Sequence, residues 1–414
     1  MLGPLNINLA DFSVSPRNGF LPDEVPLIRL SDPYYLEWES IVGRLPLLLQ
    51  TKSLRVSVDR MQLLSTSHLV SEPGWRRAYL LLSFMTHAYI WEAGGPSERL
   101  PPQITVPFLE ISSHFDLPTT ATYAALNLWN FTTIAPGADI SKLENIRPLH
   151  TFTGSEDEEW FYLVSVAIEA HGAKVISLMM KAIDAVRAND SCVVTDALVK
   201  FSQCIKEIGK ILKRMNEKCD PHVFYNEIRP FLAGSKNMAV AGLPNGVFYD
   251  EGDGKGEWRQ YSGGSNAQSS LIQFFDVILG VQHSSTKGST GPRNGFLQEM
   301  RRYMPGKHRD FLKHIESIAN IRSYAESTSD SEVTEAYNVA VEELKKFRDI
   351  HIGIVTRYII IPSKQHSSTG NSGLNLAVAS ANPASTRELH GTGGTQLLPF
   401  LKQSRDETRD TRIP

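Results

Sequence analysis

A mainly helical, all-α fold is predicted by three features of the sequence. The run Trp75–Trp91 is long and apolar enough for a buried helix, and Gly94, Gly95 and Pro96 stop it. A second helix is expected from Ser155 through about residue 186, because Ser155 and Glu158 have capping-box spacing and the acidic residues 156–159 suit the positive end of a helix. The third and strongest signal lies at 333–361, where apolar residues recur at helical spacing.

The 414 residues exceed the ~100–200 usual for one domain, so two domains are expected. Six prolines among residues 1–50 disfavour long helices and favour turns, which predicts a smaller mixed N-terminal domain over 1–117. The stretch holding Pro101, Pro102 and Pro107 reads as a crossover into a larger helical domain, 118–414. There, 192–215 and 296–325 continue the helical pattern and 242–266 is Gly-rich. Residues 363–390 are rich in Ser, Asn, Gly and Ala, so a mobile loop is expected over 363–395, ending in GTGGT at 391–395. A short helix is expected at 396–403.

Forty-two Lys and Arg stand against 45 Asp and Glu, leaving no broad basic field for a phosphate backbone, so no nucleic-acid partner is expected. Cys192, Cys204 and Cys219 form neither CxxC nor CxxCH, and an odd number suits a reducing compartment. The N-terminus lacks a basic start followed by an apolar run, and no stretch reads as a span of ~20 apolar residues, so a cytoplasmic protein without a membrane segment is expected.

Ala340, Leu344, Phe347, His351, Ile354 and Tyr358 alternate spacings of four and three, which puts them on one helix face. His351 therefore points where the core points, and a lone imidazole there is more often a hydrogen-bonded core residue than a ligand. Arg348, one turn earlier, approaches the interior too and needs an anion, for which Asp276 is a structural candidate. His171 reads as structural or surface, because Glu169 and Lys174 mark a wet side of its helix. His114 and Asp116 spell the HxD fragment of an iron triad without the strand context and second histidine it needs. GDGKG at 252–256 lacks the strand-before, helix-after setting of a phosphate cradle and reads as a flexible turn.

Six strings occur in an order that resembles the indoleamine 2,3-dioxygenase family: FYLVS at 161–165, FYNEIRPFLAG at 224–234, GGSNAQSS at 263–270, FLQEMRRYMPGKHRDFL at 296–312, RDIHIGIVTRYIIIP at 348–362 and GTGGT at 391–395. Weaker similarity in GWRRAYLLLSFMTHAYIW extends it into the first half. The resemblance implies a haem b cofactor with His351 as the iron ligand and Arg348, Gly264 and Ser265 along the porphyrin, one propionate meeting Arg348. It implies substrate contacts from Tyr123, Phe161, Phe224, Arg229, Gly264, Asn266 and Thr395, with Arg229 on the substrate carboxylate and Thr395 in a closing loop. Ser165 and Ser265 carry weak roles at the reacting centre, with no general base assigned. Asn266 is bulkier than the alanine often found there, and Leu126 stands where some relatives have cysteine.

The reaction so implied is cleavage of the indole C2–C3 bond of L-tryptophan by O₂, giving N-formyl-L-kynurenine at the head of the kynurenine pathway. Related indoleamines are further substrates, and an external electron donor keeps the iron ferrous. The resemblance also implies a monomer whose small domain covers the distal side of the haem. Two other readings stand beside it: a low-turnover haem and tryptophan sensor of the same fold, and a helical interaction protein in which His351 and Arg348 serve only the core.

Overall fold

Every extended apolar run forms a helix in the computed structural model, which describes residues 7–284, 295–368, 389, 391–392 and 396–414. The mainly helical prediction holds. The first long helix spans Glu72–Trp91, with Pro73 in its first turn and Ser71 as its cap.

The expected crossover is instead a helix, Pro102–Phe115. Pro102 occupies a first-turn position whose missing N–H has no helical partner anyway. Ile104, Phe108, Ile111 and Phe115 bury one face, and that burial outweighs the helix bond lost at Pro107.

The 155–186 run forms two helices, Glu156–Gly172 and Lys174–Arg187, parted only at Ala173. By length and apolar composition the pair could cross a membrane, contrary to the expectation of no such stretch, but most of its apolar window is buried inside the fold. Ser155 caps the Glu158 nitrogen at 3.2 Å. The reciprocal half of the capping box is absent: buried Glu158 reaches past Ser155 to the nitrogens of Phe152 and Thr153, at 2.8 and 2.7 Å.

The helix bearing His351 runs Ser331–Val355 and packs most extensively on Ser191–Lys213, with the C-terminal helix Leu397–Asp410 on another side. The C-terminal helix is longer than expected, and residues 363–368 of the expected loop continue the helix Ile361–Ser368. Five short strands complete the described residues. β1 (Arg99–Leu100) pairs in parallel with β4 (Val247–Gly252), which pairs antiparallel with β5 (Lys255–Arg259); β2 (Phe131–Thr133) pairs with β3 (Ile146–Pro148). GDGKG is the tip of the β4–β5 hairpin, with Gly252, Asp253 and Gly254 all at positive φ.

One buried apolar cluster runs from Val14 to Tyr358, drawing side chains from both sides of residue 117. Among the described residues three π-helical turns occur, at Ala124–Leu128, Phe224–Ile228 and Thr356–Ile360. The first follows Tyr123 and the second runs from Phe224 to just before Arg229, so two of them adjoin candidate site residues, as such one-turn widenings often do.

Candidate active site

The stripe that carries His351 is closed by packing at both ends and open in the middle. Ala340, Leu344, Phe347 and Tyr358 are buried, whereas Ile350, His351, Ile352 and Ile354 are only half-buried and Gly353 is exposed. Desolvation in this recess, and then the Arg348 charge, push the His351 pKa down to about 4, so the imidazole is neutral. No described residue hydrogen-bonds to it.

His87 shows what a core histidine does in this protein. It is fully enclosed, and its ring nitrogens bond Phe231 O at 2.7 Å and Thr120 Oγ1 at 2.8 Å. His351 has the opposite character: a neutral imidazole whose bonding capacity is unspent, which is the form that ligates iron.

Arg348 is buried and donates from Nη2 to Asp276 Oδ1 and Oδ2, at 2.7 and 2.8 Å, and from Nη1 to Thr408 Oγ1. Asp276 is thus the anion that Arg348 meets within the chain. Nothing among the described residues accepts from Arg348 Nε. Asp276 also contacts His283 Nε2 at 3.2 Å, and His283 Nδ1 lies 2.7 Å from Glu407, so this network joins the His351 helix to the C-terminal helix.

An aromatic wall links that helix to Arg229. The Tyr358 ring stands edge-on to Phe224 at 5.8 Å, and Phe224 lies 4.9 Å from Phe161. Phe224 opens the π turn that ends just before Arg229. A π turn takes more residues per revolution than an α-helix at ~3.6, so two side chains five apart come round toward a common side. Arg229 is 3% exposed, its guanidinium 5.6 Å from the Tyr225 ring, and burial lowers its pKa. Guanidinium stays charged even so.

The small-residue strip follows from close backbone crossing. A Cβ on Gly263 would overlap Leu232 O and stand 2.6 Å from Gly234 N, so neither chain can carry a side chain there. Gly264 faces Leu126, whose Cδ1 would be 2.5 Å from an added Cβ. Gln268 braces the strip, giving Nε2 to Gly263 O at 2.8 Å and taking the Tyr123 N–H at 2.9 Å. Ser265 caps the short turn after it, and Asn266 is exposed.

Tyr123 and Ser165 are buried, and the Tyr123 hydroxyl donates to Glu169 at 3.1 Å. Glu169 is not on a wet side, as its charge suggested, but 1% exposed. Phe161, Ser165 and Glu169 follow at four-residue spacing, so the inner face of their helix continues to the acid. His171, two residues on, is half-buried, in line with a structural role. His114 pairs with Glu72 at 2.8 Å and stacks on Trp75, and among the described residues no three metal-ligating side chains converge.

Thr395 lies outside the described residues. Thr392 of the same GTGGT string was not singled out from the sequence, yet it receives the Gly263 N–H on its carbonyl at 3.0 Å and gives its hydroxyl to Gly264 O at 2.7 Å. Gln268 was also missed; it stood within GGSNAQSS, but its two bonds join segments far apart in the chain.

The indoleamine 2,3-dioxygenase family model matches residues 8–411. An indoleamine 2,3-dioxygenase of Aspergillus nanangensis is 43% identical over 99% of this chain and 98% of its own. One of Saccharomyces cerevisiae is 42% identical over 97% and 92%, and a 6-hydroxytryptophan 2,3-dioxygenase of Fusarium equiseti is 39% identical over 98% of both. A match of this extent carries more than the fold, and it fits a recess whose histidine is neutral and unbonded: the chain belongs to the indoleamine 2,3-dioxygenase family, dioxygenases of the oxidoreductase class.

Proposed function

We propose that the protein holds haem b through His351 and cleaves the indole C2–C3 bond of L-tryptophan with O₂ to give N-formyl-L-kynurenine. The uncovered turn of the His351 helix carries this reading, because an imidazole there is neutral, unbonded and flanked by buried residues. Haem, when bound, supplies the ferrous iron at which O₂ reacts.

The chain's own residues bind and orient. Arg229 offers a permanently charged, planar donor pair to the substrate carboxylate within an apolar wall, where little water competes. Phe224 and Phe161 pack against the indole, and Gly264 and Ser265 let porphyrin and substrate approach the backbone closely. Arg348 Nε–H and the second Nη1 N–H are the donors left for a haem propionate once Asp276 and Thr408 have taken the other three. Ser165 is a poor base and is assigned no proton transfer. Both oxygen atoms enter the product, so the cycle consumes no electrons from outside; an external donor serves only to return oxidised iron to the ferrous state.

Residues 1–117 form the cover on the distal side. This is supported by His87 and Trp91, which bond Phe231 O and Ala233 O just beyond Arg229, at 2.7 and 2.9 Å. A ring-hydroxylated tryptophan is a second reading of the substrate, favoured by the name of the Fusarium equiseti relative. Anaerobic reduction followed by O₂ and either L-tryptophan or 6-hydroxytryptophan tests both: N-formylkynurenine absorbance from tryptophan is the expected result, and a haem protein that converts neither substrate contradicts the proposal.

A further inference from the structure

Glu169 is enclosed by the fold with an incomplete set of partners. Its Oε1 accepts the Ser269 hydroxyl at 2.6 Å and the Tyr123 hydroxyl at 3.1 Å. Its Oε2 is buried and bonds to nothing among the described residues. The groups that face it are Tyr123, from the segment entering the first π turn, and Ser269, the cap of helix Ser270–Leu279; Ser165, on its own helix, interacts with Tyr123 in turn. Among the described residues no Lys, Arg or His pairs with Glu169, and no charged side chain is among the causes of its pKa shift.

An ionised carboxylate is a poor occupant of such a place. Removing a charge from water without a counter-charge is among the most unfavourable steps in folding, and an oxygen with no donor adds to it. A neutral acid removes the unpaired charge, the larger of the two costs: Oε1 acts as the carbonyl acceptor for two hydroxyls, and the proton resides on Oε2. Burial, only partly offset by the bonds from Ser269 and Tyr123, pushes the Glu169 pKa up to about 7.

We propose that Glu169 is a protonated positioning residue, which in its neutral form holds the hydroxyls of Tyr123 and Ser269 and so fixes the inner wall of the substrate pocket. The proposal rests on reading Tyr123 and Ser165 as pocket residues. Ionisation of Glu169 strengthens its two hydroxyl bonds but puts an unpaired charge into an enclosed site, and the water it draws in loosens the packing of that wall, so substrate binding weakens as pH rises through neutrality.

The test uses the full-length protein with haem, as wild type, Glu169→Gln and Glu169→Ala. Glutamine reproduces the neutral acid, with a carbonyl for the two hydroxyls and an NH₂ in place of Oε2–H. Infrared spectra without substrate should show, near pH 6, a protonated-carboxyl carbonyl band in wild type that is absent from Glu169→Gln. The wild-type KM for tryptophan should rise about tenfold between roughly pH 6 and pH 8, as one essential protonated group near neutrality requires. Glu169→Gln should keep a low, pH-independent KM, and Glu169→Ala should raise KM near pH 6. Identical infrared spectra for wild type and Glu169→Gln would overturn the proposal, as would a KM near pH 6 raised as much by glutamine as by alanine. Should the alanine variant not fold, the spectral comparison still decides. Because the band is read without turnover, its absence is distinct from a failure of the tryptophan assignment.

Discussion

Arg348 spends one terminal nitrogen on both carboxylate oxygens of Asp276, at 2.7 and 2.8 Å, one turn before His351 on the same helix. The pair is buried, and it ties the helix Ser331–Val355 to Ser270–Leu279. Asp276→Ala leaves the guanidinium buried without its counter-charge, a change that costs about 3–5 kcal/mol. Urea unfolding of the variant should show that loss, together with a lower haem content per chain.

The same network makes stability depend on pH. Burial opposes a charge on His283, but Asp276 and Glu407 outweigh it and hold the His283 pKa above its usual value. A raised pKa gives stability that is fully present below the unfolded value of about 6.5 and lost as pH rises through the folded value. The unfolding midpoint of wild type should therefore exceed that of His283→Gln below about pH 6.5, and the gap should close in alkaline solution. An equal gap at both ends would contradict the charge as its source.

Arg229→Ala should retain haem and fold yet need far more tryptophan. Deleting one partner of a buried charge pair costs about 2–5 kcal/mol, or roughly 30-fold to several thousandfold in binding. Steady-state kinetics beside the Soret absorbance separate this from a haem defect.

The glycines of the strip differ in what surrounds them. Gly263→Ala sets a methyl group into the Leu232 backbone and should cost about 3 kcal/mol or more, seen as a lowered unfolding midpoint. Gly264→Ala meets the end of the Leu126 side chain, so its harm should be smaller than that of Gly263→Ala, and smaller again when introduced into a Leu126→Ala background. Thermal unfolding of Gly263→Ala, Gly264→Ala, Leu126→Ala and the Gly264→Ala, Leu126→Ala double variant measures this order.

The long helices were legible because burial repeats at helical spacing, and His351 was legible as a core-facing position for the same reason. Its exemption from packing was not, since a periodic stripe does not reveal that one turn lacks a covering layer. Pro102 and Pro107 drew the reading toward a crossover, although Ile104, Phe108, Ile111 and Phe115 carried the helical period through them. The π turns left no trace in residue type; two of them, Phe224–Ile228 and Thr356–Ile360, meet through the Phe224 and Tyr358 rings, far apart in the chain. Glu169 misled most directly: a charged letter suggested water, and only its partners, 46 and 100 residues away, account for its burial.

The most direct measurement is the Soret absorbance of His351→Ala, purified with haem supplied and checked by far-ultraviolet circular dichroism. A folded, colourless protein with no tryptophan cleavage is expected. A folded variant with a full Soret band and normal turnover would contradict it.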